Sequence, residues 1–92
     1  MSSPTRIPLE DSFDLHSFLP NEVASALVEY LEEALRNGFD EVRVIHGKGR
    51  GVRRAQVRRL LESNPNVSSF FDAPPERGSF GATVVVLKDS RA

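Results

Sequence analysis

The pattern of hydrophobic and polar positions predicts four strands and two helices in this 92-residue chain. Alternating or short β-branched apolar runs indicate strands, whereas an apolar residue at every third or fourth position indicates a helix. The predicted strands are 12–16, 41–46, 67–72 and 81–87, and the predicted helices are about 20–37 and 51–63. The last strand is apolar on both faces, which predicts that it is covered on both sides.

The resulting order is strand, helix, strand, helix, strand, strand, which indicates an α/β domain. A strand–helix–strand unit joins parallel strands through a right-handed crossover, so the first two strands should end at the same edge of the sheet. The length corresponds to one domain. We expect a leader at 1–8, the domain at 9–88 and a polar tail at 89–92.

The only two histidines lie at the ends of the first two predicted strands. Neighbouring strands are about 4.8 Å apart, so the rings of His16 and His46 could share one small group at the edge where open α/β folds bind ligands. Asp14, two residues before His16, projects to the same face and could orient its ring. The alternative is that each histidine caps a strand end by bonding a main-chain group.

A basic, glycine-rich turn follows the second strand. Gly47, Gly49 and Gly51 occupy alternate positions just before the second helix. Glycine lets the backbone approach a ligand, and a helix start offers unpaired N–H groups, so this segment is a candidate anion site.

Charge is distributed unevenly along the chain. Seven of the twelve Lys and Arg residues lie in 43–59 without an intervening acid, whereas nine of the thirteen acids lie in 10–41. The net charge of −1 would by itself argue against a nucleic-acid binder. Because local field steers a polyanion to a site, the basic segment nevertheless predicts a phosphate-bearing polymer as ligand.

Four motifs resemble the Smr (small MutS-related) domain family over about residues 9–88. They are Phe13-Asp14-Leu15-His16, His46-Gly47-Lys48-Gly49, Phe71-Asp72-Ala73-Pro74-Pro75 and Gly81-Ala82-Thr83. The resemblance implies a βαβαββ domain with a four-stranded mixed sheet and two helices, similar to the C-terminal domain of bacterial translation initiation factor three. It also implies nucleic-acid binding and, in several members, endonuclease or nicking activity on DNA or RNA.

The family's motifs transfer to this chain with two departures. Gly51 matches the glycine that follows the HGKG motif, and Arg53 or Arg54 takes the place of its usual basic residue. Ser17 replaces the glycine that often follows DLH, and Gly78-Ser79 replaces a pair of glycines. No GxxxxGK[ST] phosphate loop is present, so the chain resembles a free-standing Smr protein rather than a MutS ATPase.

Together these residues could support phosphodiester cleavage, which needs proton transfer and cations that hold the developing charge. The candidate catalytic residues are Asp14, His16, His46 and Lys48. The candidate nucleic-acid-binding residues are Gly47, Gly49, Arg50, Gly51, Arg53, Arg54 and Arg58. The two histidines would exchange protons near neutral pH, Lys48 would hold non-bridging oxygens, and the arginines would grip neighbouring phosphates.

The hypothesis favours RNA, whose 2′-hydroxyl can act as the nucleophile, and predicts cleavage that survives EDTA. A divalent metal is poorly supported because Asp14 is the one obvious carboxylate near the site, and no cofactor is required. The main alternative is a non-catalytic module that docks on nucleic acid or on a ribonucleoprotein such as the ribosome. A small-molecule phosphate enzyme is a poorer third choice, since Asp72 is a weak candidate for a ribose clamp.

Cysteine content and hydropathy limit the remaining classes. The chain has no cysteine, which excludes disulfides and thiolate chemistry and fits a reducing cytosol, so we expect a cytoplasmic protein. No run has the length of a signal peptide's apolar core or of a membrane span. The oligomeric state is not predicted.

Overall fold

Six regular elements follow one another in the predicted order. The computed structural model describes residues 11–47, 51–77 and 81–88. The elements are β1 Ser12–Asp14, α1 Val23–Arg36, β2 Glu41–Ile45, α2 Val52–Glu62, β3 Val67–Asp72 and β4 Ala82–Leu87. Short 3₁₀ turns occupy Pro20–Glu22 and Pro75–Arg77. Each strand and helix falls within its predicted range, and β3 matches it fully.

The first strand is shorter than predicted because its end is turned by local hydrogen bonds. The Asp14 carboxylate accepts the main-chain N–H of His16 at 2.9 Å. The N–H of Phe18 then donates to the Leu15 carbonyl at 3.0 Å, which bends the chain away from the sheet. His16 therefore lies beyond the strand, on the connection that leads to α1.

Helix α1 has a defined start and a defined end. The 3₁₀ turn that leads into it is closed by a side chain, because the Glu22 carboxylate accepts the N–H of Leu19 at 2.9 Å. Gly38 follows the helix with φ of 82°, a left-handed conformation that glycine adopts without a Cβ clash. The predicted apolar stripe is confirmed, since Val23, Leu27, Tyr30 and Leu31 are buried and Leu35 packs against them.

The sheet is mixed, with strand order β1-β2-β4-β3. Strands β1 and β2 are parallel, and β4 is antiparallel to both β2 and β3. The predicted parallel direction of the first two strands is thus confirmed, and the two strands are neighbours in the sheet. Because β3 runs in the same direction as β1 and β2, the carboxyl ends of all three lie at one edge of the sheet. We call this the carboxyl edge.

Both helices pack on one face of the sheet. The main core joins buried residues of α1 and α2 to Val42, Val44, Val85 and Leu87 of the sheet. A smaller cluster lies on the opposite face and consists of Ala73, Ala82 and Val84, with Ile45 packed against it. Val84 and Val85, neighbours on β4, are both fully buried, so the predicted covering of this strand on both sides is confirmed.

Among the described residues, neither helix has the length and apolar character that a membrane span requires.

Candidate active site at the carboxyl edge

Polar and charged side chains from four parts of the chain gather at the carboxyl edge. Asp14 ends β1 and His16 follows it, His46 follows β2, and Asp72 ends β3. Arg54 lies in the first turn of α2, whose start faces the same edge. The parallel direction of β1, β2 and β3 explains why residues distant in sequence meet here.

Asp14 and His16 form an exposed acid–imidazole pair. The Asp14 Oδ1 atom lies 2.8 Å from Nδ1 of His16, and 77% of the His16 side chain is exposed. The His16 main-chain N–H and the His16 ring both donate to this carboxylate, and they hold the pKa of Asp14 below its ordinary value. Asp14 is therefore ionised at neutral pH and keeps the proton on Nδ1, which leaves Nε2 as the ring nitrogen for a ligand.

His46 differs from His16 in its surroundings. Only 5% of the residue is exposed. Its Nδ1 lies 3.0 Å from the Gly47 carbonyl oxygen, and its Nε2 lies 2.9 Å from Oγ1 of Thr83, which is fully buried. Because a carbonyl can only accept, Nδ1 carries the proton and Nε2 accepts the Thr83 hydroxyl. His46 thus connects the end of β2 to β4 through Nε2, while Nδ1 bonds the carbonyl of the next residue, Gly47.

The expectation that the two imidazoles share one small group requires correction. His46 continues the alternation of Val42 and Val44, so its ring lies on the helix-covered face. Phe13 packs on that same face, so the neighbouring Asp14, and the His16 ring bound to it, belong to the opposite side. Of the two histidines, only His16 is open to a large substrate.

Burial lowers the pKa of His46 below its ordinary value of 6.5, and the cations of Arg54 and Arg58 lower it further. The Gly47 hydrogen bond and the Asp72 carboxylate act in the opposite direction. Between the lowered pKa of the folded state and about pH 6.5, the unfolded chain therefore binds a proton on this ring that the folded chain does not. The free energy of unfolding consequently falls as the pH drops from about 6.5 to that lowered pKa, and it rises with pH across the same window.

We expect His46→Gln to reduce this dependence, since glutamine can keep a hydrogen bond to Thr83 but does not titrate. Urea unfolding at about pH 7.5 and about pH 5.5 gives the difference in the free energy of unfolding between the two pH values. His16→Gln is the matched control, because it removes the exposed histidine and should show the same difference as the wild type. If His46→Gln also shows the wild-type difference, His46 is not held neutral in the folded protein.

The glycine turn is fixed at both of its described ends. The N–H groups of His46 and Gly47 both donate to the Gly81 carbonyl, at 3.0 and 2.9 Å. Gly47 and Gly51 have φ of 80° and 81°, in the left-handed region where a side chain is strained. Gly51 immediately precedes α2. The turn therefore requires glycine at these positions for backbone reasons.

Three predicted site residues in this turn, Lys48, Gly49 and Arg50, lie outside the described residues. Their predicted roles in catalysis and phosphate binding stay predictions.

Arg53 makes contacts that differ from the predicted phosphate contact. Its Nη1 donates to the Leu15 carbonyl at 2.7 Å, and its Nη2 donates to the Phe18 carbonyl. These two carbonyls flank His16, so Arg53 fastens the β1–α1 connection to the start of α2. These contacts give Arg53 a structural role, and its predicted contact with phosphate stays a prediction.

Arg54 and Arg58 are brought together by Asp72. Arg54 donates to both carboxylate oxygens of Asp72 at 2.6–3.0 Å, and Arg58 Nη1 lies 3.4 Å from Oδ1. The Arg58 guanidinium also lies 5.0 Å from the centre of the Phe70 ring. The hydrogen bonds from Arg54 lower the pKa of Asp72, which is therefore ionised. We call Arg54, Arg58 and Asp72 the arginine cluster.

Sequence reasoning assigned no strong site role to Thr83 and Asp72. Both residues occur in the motifs that resemble the Smr family, and their place in these motifs was the one sign in the sequence that they belong to the site. Their partners are 37 and 18 residues away in sequence, so residue spacing alone did not reveal the contacts. Within residues 11–47, 51–77 and 81–88, no group of three or more His, Asp or Glu side chains is arranged to hold a metal ion.

Fold and site together define a two-layer α+β domain of βαβαββ topology with a polar carboxyl edge. The Smr domain family model matches residues 13–88, and the chain belongs to this family.

Solved structures agree with this assignment. The Smr domain of Thermus thermophilus MutS2 superposes with a TM-score of 0.80 at 39% identity, covering 84% of this chain and 96% of that one. YdaL, a stand-alone small MutS-related protein from Escherichia coli, superposes with a TM-score of 0.81 at 29% identity, covering 91% of this chain and 69% of that one.

Longer proteins contain the same domain. Endonuclease MutS2 of Solidesulfovibrio magneticus is 41% identical over 75 residues, which are 82% of this chain and 10% of that protein. Endonuclease MutS2 of Thermus thermophilus is 46% identical over 69 residues, which are 72% of this chain and 9% of that protein. The chain thus spans about a tenth of the length of these relatives.

Proposed function

We propose that this domain binds nucleic acid and cleaves phosphodiester bonds, with RNA as its preferred substrate. The observation that carries the proposal is the Asp14–His16 pair, which is exposed at the carboxyl edge and has Nδ1 engaged by an ionised carboxylate. The names of the MutS2 relatives, which are endonucleases, support the same chemistry.

In the proposed reaction, Nε2 of His16 takes the proton from a ribose 2′-hydroxyl. The 2′-oxygen attacks the adjacent phosphorus, the bond to the 5′-oxygen breaks, and the departing oxygen takes a proton from the imidazolium or from water. The products are a 2′,3′-cyclic phosphate and a 5′-hydroxyl. Asp14 stabilises the imidazolium and fixes the ring orientation, as a carboxylate does in other acid–base pairs.

Positive charge near the reacting phosphate would come from the glycine turn. The start of α2 suits an anion, and Lys48 is the predicted side chain for the non-bridging oxygens. His46 serves in this scheme as a positioning residue, because its ring holds Gly47 and Thr83 rather than facing solvent.

A binding module without chemistry is the second candidate function. The burial of His46 favours it, since one of the two predicted proton-transfer groups is removed from the open site. Under this alternative the Asp14–His16 pair would bind phosphate or base edges and release them unchanged.

The test is incubation of the purified chain with end-labelled single-stranded RNA and with duplex DNA, with and without EDTA. We expect RNA to be cut in EDTA and DNA to remain intact, because DNA lacks the 2′-hydroxyl nucleophile. Binding of both polymers without cleavage of either would favour the second candidate. Cleavage that requires a divalent metal would contradict the proposed chemistry.

A further inference from the structure

The arginine cluster is an ion-pair network that is only partly buried. About a third of each side chain is exposed, with 33% for Arg54, 37% for Arg58 and 29% for Asp72. Arg54 donates hydrogen bonds to both carboxylate oxygens of Asp72. A guanidinium binds two oxygens of a phosphate group in a similar way. Partly exposed ion pairs contribute little stability, so another anion can replace the carboxylate at modest cost.

The arginine cluster lies well away from His16 along the carboxyl edge. Asp72 ends β3 and Asp14 ends β1, and the order β1-β2-β4-β3 places three strand spacings between them. At about 4.8 Å per spacing, this separation is at least roughly 14 Å, since Asp72 alternates with Phe70 to the helix-covered face and Asp14 points to the other face. A stacked strand advances about 3.4 Å per phosphate, so at least about four nucleotides separate the two places. The phosphate that reaches the cluster is therefore a different one from the phosphate at His16.

We propose that Arg54 and Arg58 form a distal phosphate subsite, which Asp72 occupies until a nucleic-acid strand long enough to reach it displaces the carboxylate. The inference rests on the proposed function and adds a length requirement to its substrate. Asp72 acts as an internal competitor: it lowers the affinity for every strand that reaches the cluster and leaves shorter ligands unaffected.

Asp72→Asn tests this, because asparagine keeps the shape of the side chain and removes its charge. The probe is single-stranded DNA of about 12 nucleotides, which has no 2′-hydroxyl and stays intact during titration. We expect binding about three- to five-fold tighter at low salt, and a dependence on salt that is steeper by about 0.7 for each cation released. A dinucleotide, which is too short to reach the cluster, should bind both proteins equally.

Glu62→Gln is the matched control, since it removes one negative charge from the exposed far end of α2. It should change the affinity less than Asp72→Asn does. An Asp72→Asn protein that binds the long probe no more tightly than the wild type, or that gains equally for the dinucleotide, would overturn the inference. Failure of the wild type to bind any probe would instead overturn the proposed function together with the inference.

Nuclear magnetic resonance of the wild-type protein gives a second test, which does not depend on whether a variant folds. The Nε–H group of Arg54 donates to Asp72 at 3.0 Å, so its signal reports the ion pair. The signal should move when the 12-nucleotide probe is added and stay in place with the dinucleotide. An unmoved signal with the long probe bound would contradict displacement of the carboxylate.

Discussion

Replacing His16 with alanine is expected to lower the rate of RNA cleavage about 10²- to 10⁴-fold, the range that a positioned general base contributes. The ring is the exposed partner of Asp14 and is not part of the core, so the variant should fold as the wild type does. The single-turnover rate on labelled RNA, measured beside affinity for an uncleavable strand, separates chemistry from binding.

We expect the His16→Ala protein to have a much lower cleavage rate but an affinity within a few fold of the wild type. Asp14→Asn should lower the rate as well, because a neutral amide no longer stabilises the imidazolium. A His16→Ala protein that cuts RNA at the wild-type rate would remove the Asp14–His16 pair from the mechanism, and the second candidate function would then be favoured.

Replacing Arg53 with alanine is expected to lower the free energy of unfolding by about 2–3 kcal/mol, since two charged hydrogen bonds to main-chain carbonyls are lost. Those carbonyls belong to Leu15 and Phe18, on either side of His16. Cleavage should therefore fall even at temperatures where the protein stays folded, because the β1–α1 connection is no longer fastened to α2. Urea unfolding and the single-turnover rate measure the two effects.

Arg59→Ala is the matched control for Arg53→Ala. Arg59 lies on the same helix but is exposed, so its removal takes away one positive charge and should change stability by less than about 0.5 kcal/mol. If both variants have wild-type stability and differ only in the salt dependence of nucleic-acid binding, Arg53 is a phosphate ligand, and the structural assignment is wrong.

Much of the fold follows from local patterns in the sequence. Apolar runs and helical spacing predicted all four strands and both α-helices, and the strand–helix–strand rule predicted that β1 and β2 are parallel. The same alternation contained the signal for the burial of His46. Val42 and Val44 point into the core, and His46, two residues further, does the same. The two histidines were expected to face each other because both follow strand ends. The alternation along β2 instead places the His46 ring in the core.

The remaining parts of the site depend on tertiary contacts that spacing does not encode. Arg53 reaches a connection 38 residues away, and Arg54 reaches a carboxylate 18 residues away. A run of basic residues beside a glycine turn predicts positive charge at the edge of the sheet. The packing of α2 against β1 and β3 decides the contact that each arginine makes. Arg53 therefore bonds main-chain carbonyls, whereas Arg54 pairs with Asp72.

The end groups of RNA cut by the wild-type protein in EDTA test the central claim most directly. If His16 activates the 2′-hydroxyl, the upstream fragment carries a 2′,3′-cyclic phosphate and the downstream fragment a 5′-hydroxyl. A single 2′-deoxynucleotide at the cleaved position should then abolish cutting there. Fragments that carry 5′-phosphates, or cutting that continues at the 2′-deoxy position, would contradict it.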